Sequence, residues 1–348
     1  MYIFGILIFT ILFVLLMLQK KDKESIGEFN INATRKLKGW MILFVLVGHT
    51  CNFVLDKNVS CITANLSMWG NIAVCTFFFI SGYGLMHSYD DKKEEYLKGF
   101  IKKRFSRILI PLILATIIFL PINYIVLQQT TSLIIYNYLA GIPALRFSWF
   151  CHSICVFYFA FWLIAKFAKN RSIIVLMVYF CIVYAVCLNL IGWKEHWYAS
   201  SLSIPLGMFV SHNEIIIKDF IKNHRLLTGT LLLILYLMTI VSGIIGISYY
   251  AISICIPLLL YTVTILSSNI SYFSVLMRPI NHAMDYFGKI SYELYLCHGA
   301  FITLSSIYVE RFQYPAICII ILAVVLFPVT IVFKKICDKI SIIFKDKF

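Results

Sequence analysis

Ten stretches of about twenty mostly apolar residues recur along this chain, each long enough to cross a hydrocarbon core about 30 Å thick. They centre on residues 39–55, 62–86, 108–127, 147–165, 173–190, 200–216, 226–245, 249–267, 291–309 and 315–333, and an eleventh, 2–18, precedes them. The connections between them are short. Hydrophobic residues make up 61% of the sequence and charged ones 13%, where soluble domains sit near about 47% and about 25%. A soluble globular domain, a disordered chain, a collagen-like repeat and a secreted disulfide scaffold are all excluded.

The few charges are lopsided, with 30 Lys and Arg against 16 Asp and Glu, a net of +14. In a soluble protein such an excess would suggest a nucleic-acid partner; in a chain of spans it reports topology, and no nucleic acid is expected. With the N-terminus outside and the C-terminus inside, 26 of the 30 basic residues fall in connections on the cytoplasmic side. Only Lys57, Arg146, Lys194 and Arg311 fall on the other. The expected fold is therefore an all-α, polytopic membrane helical bundle of about eleven transmembrane helices, N-out and C-in.

The first apolar run has no basic residues before it and its lysines follow it, which predicts a retained span rather than a cleaved signal. The connections are too short for a soluble catalytic domain, so the chemistry belongs inside the bundle or at its rim. No repeat and no paired Gly/Pro-broken spans of the inverted-repeat transporter kind stand out. Eleven cysteines without a CxxC pair read as small buried apolar residues, and no metal site is expected. Cys51 and Cys61, both near the outer face, are a candidate bridge.

Ionisable groups at membrane depth are costly, so each marks a functional position by default. In Lys38-Gly39-Trp40-Met41-Ile42-Leu43-Phe44-Val45-Leu46-Val47-Gly48-His49 the outer two residues are 11 positions apart. On an α-helix that spacing misses three full turns by about 20° and spans about 16 Å of rise. Lys38 would sit at the cytoplasmic rim and His49 on the same face near mid-bilayer, with Gly39 and Gly48 allowing close approach. An imidazole there can take a proton from a hydroxyl; a buried histidine that only pins a neighbouring helix is the competing reading. Ser81 and Tyr83, in Phe79-Ile80-Ser81-Gly82-Tyr83-Gly84, break an apolar span at its cytoplasmic end. They offer a hydroxyl and a phenol to a ligand, or mark a helix-packing site. Arg104 and Arg107 share a helix face at the entry to the next span and suit phosphate groups, although the positive-inside rule alone would also put them there. Tyr292, Tyr295 and His298 stand at i, i+3 and i+6 in Gly288-Lys289-Ile290-Ser291-Tyr292-Glu293-Leu294-Tyr295-Leu296-Cys297-His298, with His298 at a depth like that of His49. His152, beside Trp149 inside a span, is a minor candidate.

Together and in this order, Lys38-x10-His49, the Phe79–Tyr83 cluster, Arg104-x-x-Arg107 and the 290–298 segment resemble the acyltransferase-3 family of integral membrane acyltransferases. The resemblance covers residues 33–334, leaving 1–32 as an extra span with its linker and 335–348 as a basic cytoplasmic tail. It implies an enzyme of the bacterial cytoplasmic membrane that moves an acetyl group from acetyl-CoA to a hydroxyl of a cell-surface polysaccharide or its lipid-linked precursor. The partners implied are acetyl-CoA as donor substrate, with no bound cofactor, a carbohydrate acceptor and the lipid bilayer. By the same resemblance His49 is catalytic with Lys38 its partner, and Arg104 and Arg107 lie near the acyl-CoA site. Ser81, Tyr83, Tyr292 and His298 are candidate substrate contacts. The chain departs from the family in carrying Arg35, Lys36 and Leu37 where an acidic residue often precedes the basic one. It also lacks a fused extracellular hydrolase-like domain. A carrier or flippase of lipid-linked sugars, which needs a polar cavity but no chemistry, is the alternative.

Overall fold

The computed structural model describes residues 27–55, 60–168, 172–244, 248–267, 278–312 and 314–346, and every one of its regular elements there is helical. The expected first span, 2–18, lies outside them. So does the turn expected at residues 245–247. In chain order the helices are α1 (Ile31–Phe53), α2 (Cys61–Ser67), α3 (Trp69–Lys92), α4 (Phe100–Pro121), α5 (Thr131–Leu139), α6 (Trp149–Phe167) and α7 (Ile173–Leu190). They continue as α8 (Ser203–His212), α9 (Glu214–Asn223), α10 (Arg225–Ile244), α11 (Ser248–Ser267), α12 (Arg278–Lys289), α13 (Ser291–Phe312) and α14 (Pro315–Asp346). A single turn, Glu94–Leu97, stands between α3 and α4.

Local chemistry sets several of these ends. The Asn30 side chain accepts from the amides of Asn32 and Ala33 at 3.0 and 3.1 Å, which caps α1. Gly99 precedes α4 at φ 67°, in the left-handed region glycine tolerates. Pro111 and Pro121 lie within α4, and a π-helical turn, Ile122–Val126, follows the second. Thr130 caps α5 by accepting from the Leu133 amide.

Five of the described helical stretches are long and apolar enough to cross a membrane: Ile62–Lys92, Phe100–Val126, Trp149–Phe167, Ile173–Leu190 and Tyr249–Leu266. A sixth results if Glu214–Asn223 and Arg225–Val241, bent by 109° at their junction, are counted as one. The chain is thus a polytopic helical membrane protein. Its lipid-facing surface shows in the exposed branched and aromatic residues of α7, Val175, Tyr179, Val183 and Val186, which recur at helical spacing.

One expected span is corrected. The stretch 200–216 does not form one span: α8 has ten residues, a rise of about 15 Å, too short to cross alone. It is entered through a buried irregular segment containing Ala199, Ser200 and Ser201, and α9 begins immediately after Asn213. At the C-terminus α14 runs on through residues 335–346. Cys51, half of the candidate bridge, is a free thiol.

The chain forms two compact units. The first comprises residues up to Gly48, Ala64–Asp91 and Ala199–Lys289. Its core is aromatic: the Phe29 ring lies 4.9 Å from Tyr83 and 5.0 Å from Tyr261, both edge-on. Helices α3 and α8 cross there at reciprocal glycine notches. A Cβ on Gly82 would stand 2.0 Å from the Ile204 carbonyl oxygen, and one on Gly207 would stand 2.1 Å from that of Phe79. Small residues let membrane helices approach to backbone contact. Gly82→Ala or Gly207→Ala must therefore push the two helices apart, at a cost of about 1–3 kcal/mol. A lower thermal midpoint of the purified protein is the expected reading; an unchanged midpoint would show that the crossing relaxes freely.

The second unit comprises His49–Thr63, Lys92–Tyr198 and Ile290–Phe348. Here α4, α6, α7, α13 and α14 pack against one another. Phe100, Phe157, Phe161, Leu294 and Leu296 form the dry interior of that bundle.

Candidate functional site

The second unit gathers two of the sequence-predicted residues into one cluster. The His49 and His298 rings are roughly parallel with centroids 5.2 Å apart. Phe147 stacks on both, 3.9 Å from His49 and 5.5 Å from His298. His49 comes from the last turn but one of α1 and His298 from the second turn of α13. Phe147 comes from the loop before α6.

That loop is held in an unusual conformation. Phe147 has φ 67°, in the left-handed region that bulky side chains rarely adopt. Its carbonyl oxygen accepts a hydrogen bond from the Tyr295 hydroxyl. The preceding residue, Arg146, donates from Nη1 to Thr303 Oγ1 at 3.2 Å, and its guanidinium lies over the Phe53 and Phe147 rings at 4.5 and 4.9 Å. The Arg146 carbonyl presses on α13 at Gly299, beside His298. Strained backbone persists where its surroundings over-determine it, and such places are often functional.

Hydrogen bonding fixes what the two histidines offer. His298 Nδ1 contacts the Tyr295 carbonyl oxygen, which can only accept, so Nδ1 carries the hydrogen. In the neutral ring the Nε2 lone pair is then an acceptor, and among the described residues Nε2 is buried without a partner. His49 Nδ1 is likewise buried without a partner. Two buried ring nitrogens left unpaired are costly unless something else fills their bonds. His196, in the one-turn 3-10 helix Glu195–Trp197, lies within electrostatic reach of His49. Burial, and secondarily Lys194, pushes His196 down to about 4, so it is neutral near pH 7.

The other predicted residues have other surroundings. Tyr292 donates its hydroxyl to the Ile108 carbonyl at 2.8 Å, tying α13 to α4. Glu293 pairs with Lys334 at 3.2 Å. Arg104 sits in an aromatic nest, over Tyr158 at 5.6 Å, Tyr96 at 5.8 Å and Phe100 at 5.9 Å, and donates to the Tyr96 hydroxyl. Arg107 is exposed. His152 donates from Nδ1 to the Ser148 carbonyl at 3.0 Å. Lys38, Ser81 and Tyr83 belong to the first unit. Tyr83 donates to Glu214 Oε2 at 2.5 Å, and Lys218 pairs with the other oxygen of that carboxylate at 2.6 Å. The phenol hydrogens of Tyr83 and Tyr292 are thus both committed within the protein. Sequence reasoning missed Arg146, Phe147 and His196. Arg146 alone carried a signal, as one of four basic residues on the side where arginine is rare.

The chain is thus a polytopic helical bundle that holds a ring-stacked pair of buried histidines in its second unit. The acyltransferase-3 family's sequence model, described as an acyltransferase domain, matches residues 36–333. The chain belongs to that family, and is a membrane acyltransferase. Neither the curated proteins nor the solved structures contain a match.

Proposed function

We propose that the protein is an O-acetyltransferase of the bacterial cytoplasmic membrane. It takes an acetyl group from cytoplasmic acetyl-CoA and gives it to a hydroxyl of a cell-surface polysaccharide or its lipid-linked precursor. The observation that carries this reading is the pair of buried, unpartnered nitrogens, His49 Nδ1 and His298 Nε2, in one ring-stacked cluster. A hydroxyl and a thioester are what such a pair can engage.

In this reading residues 33–334 form the catalytic domain with ten crossings, and the extra N-terminal span makes the whole chain about eleven, N-out and C-in. The one at 200–216 is made by a buried irregular segment and the short α8; irregular backbone is tolerated at membrane depth where protein surrounds it. Acetyl-CoA arrives from the cytoplasmic side, where Arg104 and Arg107 attract its phosphates; Lys38, Ser81 and Tyr83, in the other unit, are donor-side candidates by the family resemblance. His49 takes the proton of the acceptor hydroxyl as the oxygen attacks the thioester carbon. The C–S bond breaks, and His49 returns the proton to the departing CoA thiolate. The same balance holds if His49 first carries the acetyl group itself. Tyr292 holds α13 in place, and the Nε2 lone pair of His298 accepts from a second hydroxyl of the acceptor, beside the one that His49 deprotonates.

The two arginines make separable predictions. Arg107→Ala, exposed and without an aromatic nest, should raise KM for acetyl-CoA about tenfold with little change in the thermal midpoint. Arg104→Ala should lower the midpoint as well, because it empties the Tyr96–Phe100–Tyr158 nest. Unchanged donor KM in the double variant would remove both from the acyl-CoA site. His49-dependent release of CoA from acetyl-CoA by purified protein separates this reading from a sugar carrier, which would release none.

A further inference from the structure

One charge in the histidine cluster has no part in the mechanism above. Arg146 is one of four basic residues on the side where the topology makes them rare, and it stands half-buried in the loop before α6. Its guanidinium lies over the rings of Phe53 and Phe147 at 4.5 and 4.9 Å. His49 neighbours the same two rings, at centroid distances of 5.9 and 3.9 Å. The cation and the imidazole therefore share two walls, all within the second unit. Arg146 Nη1 donates to Thr303 Oγ1 at 3.2 Å, and Thr303 passes its own hydrogen to the Gly299 carbonyl at 2.9 Å. A guanidinium has more N–H donors than that one bond uses. Among the described residues the others have no hydrogen-bond partner, and no carboxylate lies within ion-pair distance. Glu310, whose charge reaches Arg146, is itself exposed. Pinning the loop to α13 would need only a neutral donor. A permanent cation is costly in such a place, and the aromatic faces offset only part of that cost.

We propose that Arg146 is a catalytic residue of the transfer, donating an N–H to the acetyl carbonyl oxygen as that oxygen becomes an anion. The assignment rests on the acetyltransferase reading, which leaves this oxygen without a partner. When the attacking oxygen, or His49 itself, adds to the thioester carbon, the carbonyl π pair moves onto its oxygen. The pair returns as the C–S bond breaks, and the sulfur leaves with the bonding electrons as thiolate. The thiolate takes the proton that His49 gives up, and Arg146 keeps all of its own. His49 is occupied with that proton and cannot also serve the oxygen. The phenols of Tyr83 and Tyr292 donate their hydrogens within the protein. A fixed cation walled by aromatic rings acts strongly on the developing charge, because little water stands between them to screen it. The fork of Arg146 is held in advance by Thr303 and the two rings, so it need not reorganise as the charge appears.

The test uses the full-length protein in nanodiscs and reads His49-dependent CoA release from acetyl-CoA, with water as the acceptor. Arg146→Gln should lose about a hundredfold in kcat, the loss typical of an oxyanion donor, while KM for acetyl-CoA stays within about twofold. Arg146→Lys, which keeps the charge, should recover at least about tenfold of that loss. Thr303→Val, which removes the pin and leaves the charge, should lose only about fivefold, the worth of one hydrogen bond. Should Arg146→Gln not fold, Arg146→Met keeps an apolar stem against Phe53 and Phe147 and should show the same loss. A kcat near the parent's in the uncharged variant, or no recovery in Arg146→Lys, overturns the assignment. Equal losses in Thr303→Val and Arg146→Gln overturn it by reducing Arg146 to a pin for the loop. A raised KM with unchanged kcat overturns it in favour of donor binding. Absence of any His49-dependent CoA release from the parent overturns the acetyltransferase reading, and this assignment with it.

Discussion

His49→Ala is expected to abolish O-acetylation of the cell envelope, with at least about a thousandfold loss of turnover, inside the range that a positioned acid–base group contributes. Its effect on folding should be small. Among the described residues Nδ1 has no hydrogen-bond partner, and the ring's contacts are stacking ones, against Phe147, His298 and Phe53. His49→Gln, closer in volume and unable to act as a base near neutral pH, should be equally inactive and nearly as stable as the parent. Mass spectrometry of the purified envelope polysaccharide reads the product, and a thermal melt reads the fold. Acetylation that survives both substitutions would reduce His49 to a packing residue and pass the chemistry to His298, whose Nε2 is the other unpaired nitrogen.

How much of this was visible in the sequence depends on which physical signal each element left. Spans that lean only on apolar length were legible: 173–190 is α7 to the residue, because lipid on one side and protein on the other demand the same composition. The 200–216 stretch misled for the same reason. Its residues are as apolar as a span, but Ala199, Ser200 and Ser201 are buried by neighbouring chain and do not need helical hydrogen bonding in lipid. Helix α12, strongly amphipathic, carries a charge pattern that apolar counting passes over. Its Asp285 pairs with Arg35 at 2.6 Å and with Lys289 at 2.7 Å.

The site divides in the same way. His49 and His298 were legible because ionisable groups inside spans are conspicuous, and the resemblance put them in one family pattern. Their stacking on Phe147 was not, since one phenylalanine among 29 carries no sequence signal. A left-handed backbone at Phe147 leaves no mark either, being imposed by the Tyr295 hydroxyl and the α13 surface rather than by its own residue type. The hydrogen bonds of Tyr83 and Tyr292 were equally hidden. Their chemistry said that each could donate to a ligand, and only packing shows that Glu214 and the Ile108 carbonyl already receive those hydrogens.

That imposed geometry makes Gly299 the most sensitive position that touches no reacting atom. A Cβ there would stand 2.4 Å from the Arg146 carbonyl oxygen and 3.2 Å from its carbonyl carbon, both backbone atoms that cannot rotate aside. Gly299→Ala must therefore drive the Arg146–Phe147 peptide off α13. Phe147 cannot follow its own preferences, because the Tyr295 hydroxyl holds its carbonyl and its φ is already 67°. The stack on His49 is the contact that yields, and with it the Arg146 guanidinium leaves Thr303. A displacement of about 1 Å at a reacting group costs about a hundredfold in rate. Gly299→Ala should thus lose about a hundredfold in kcat for acetyl transfer, with KM for acetyl-CoA nearly unchanged if the donor is bound at Arg104 and Arg107 as proposed, since the displaced loop contains neither. Crowding of the loop against α13 should also lower the thermal midpoint by several degrees. Full activity in a folded Gly299→Ala protein would show that the loop yields without disturbing His49, and that its strained conformation serves packing alone.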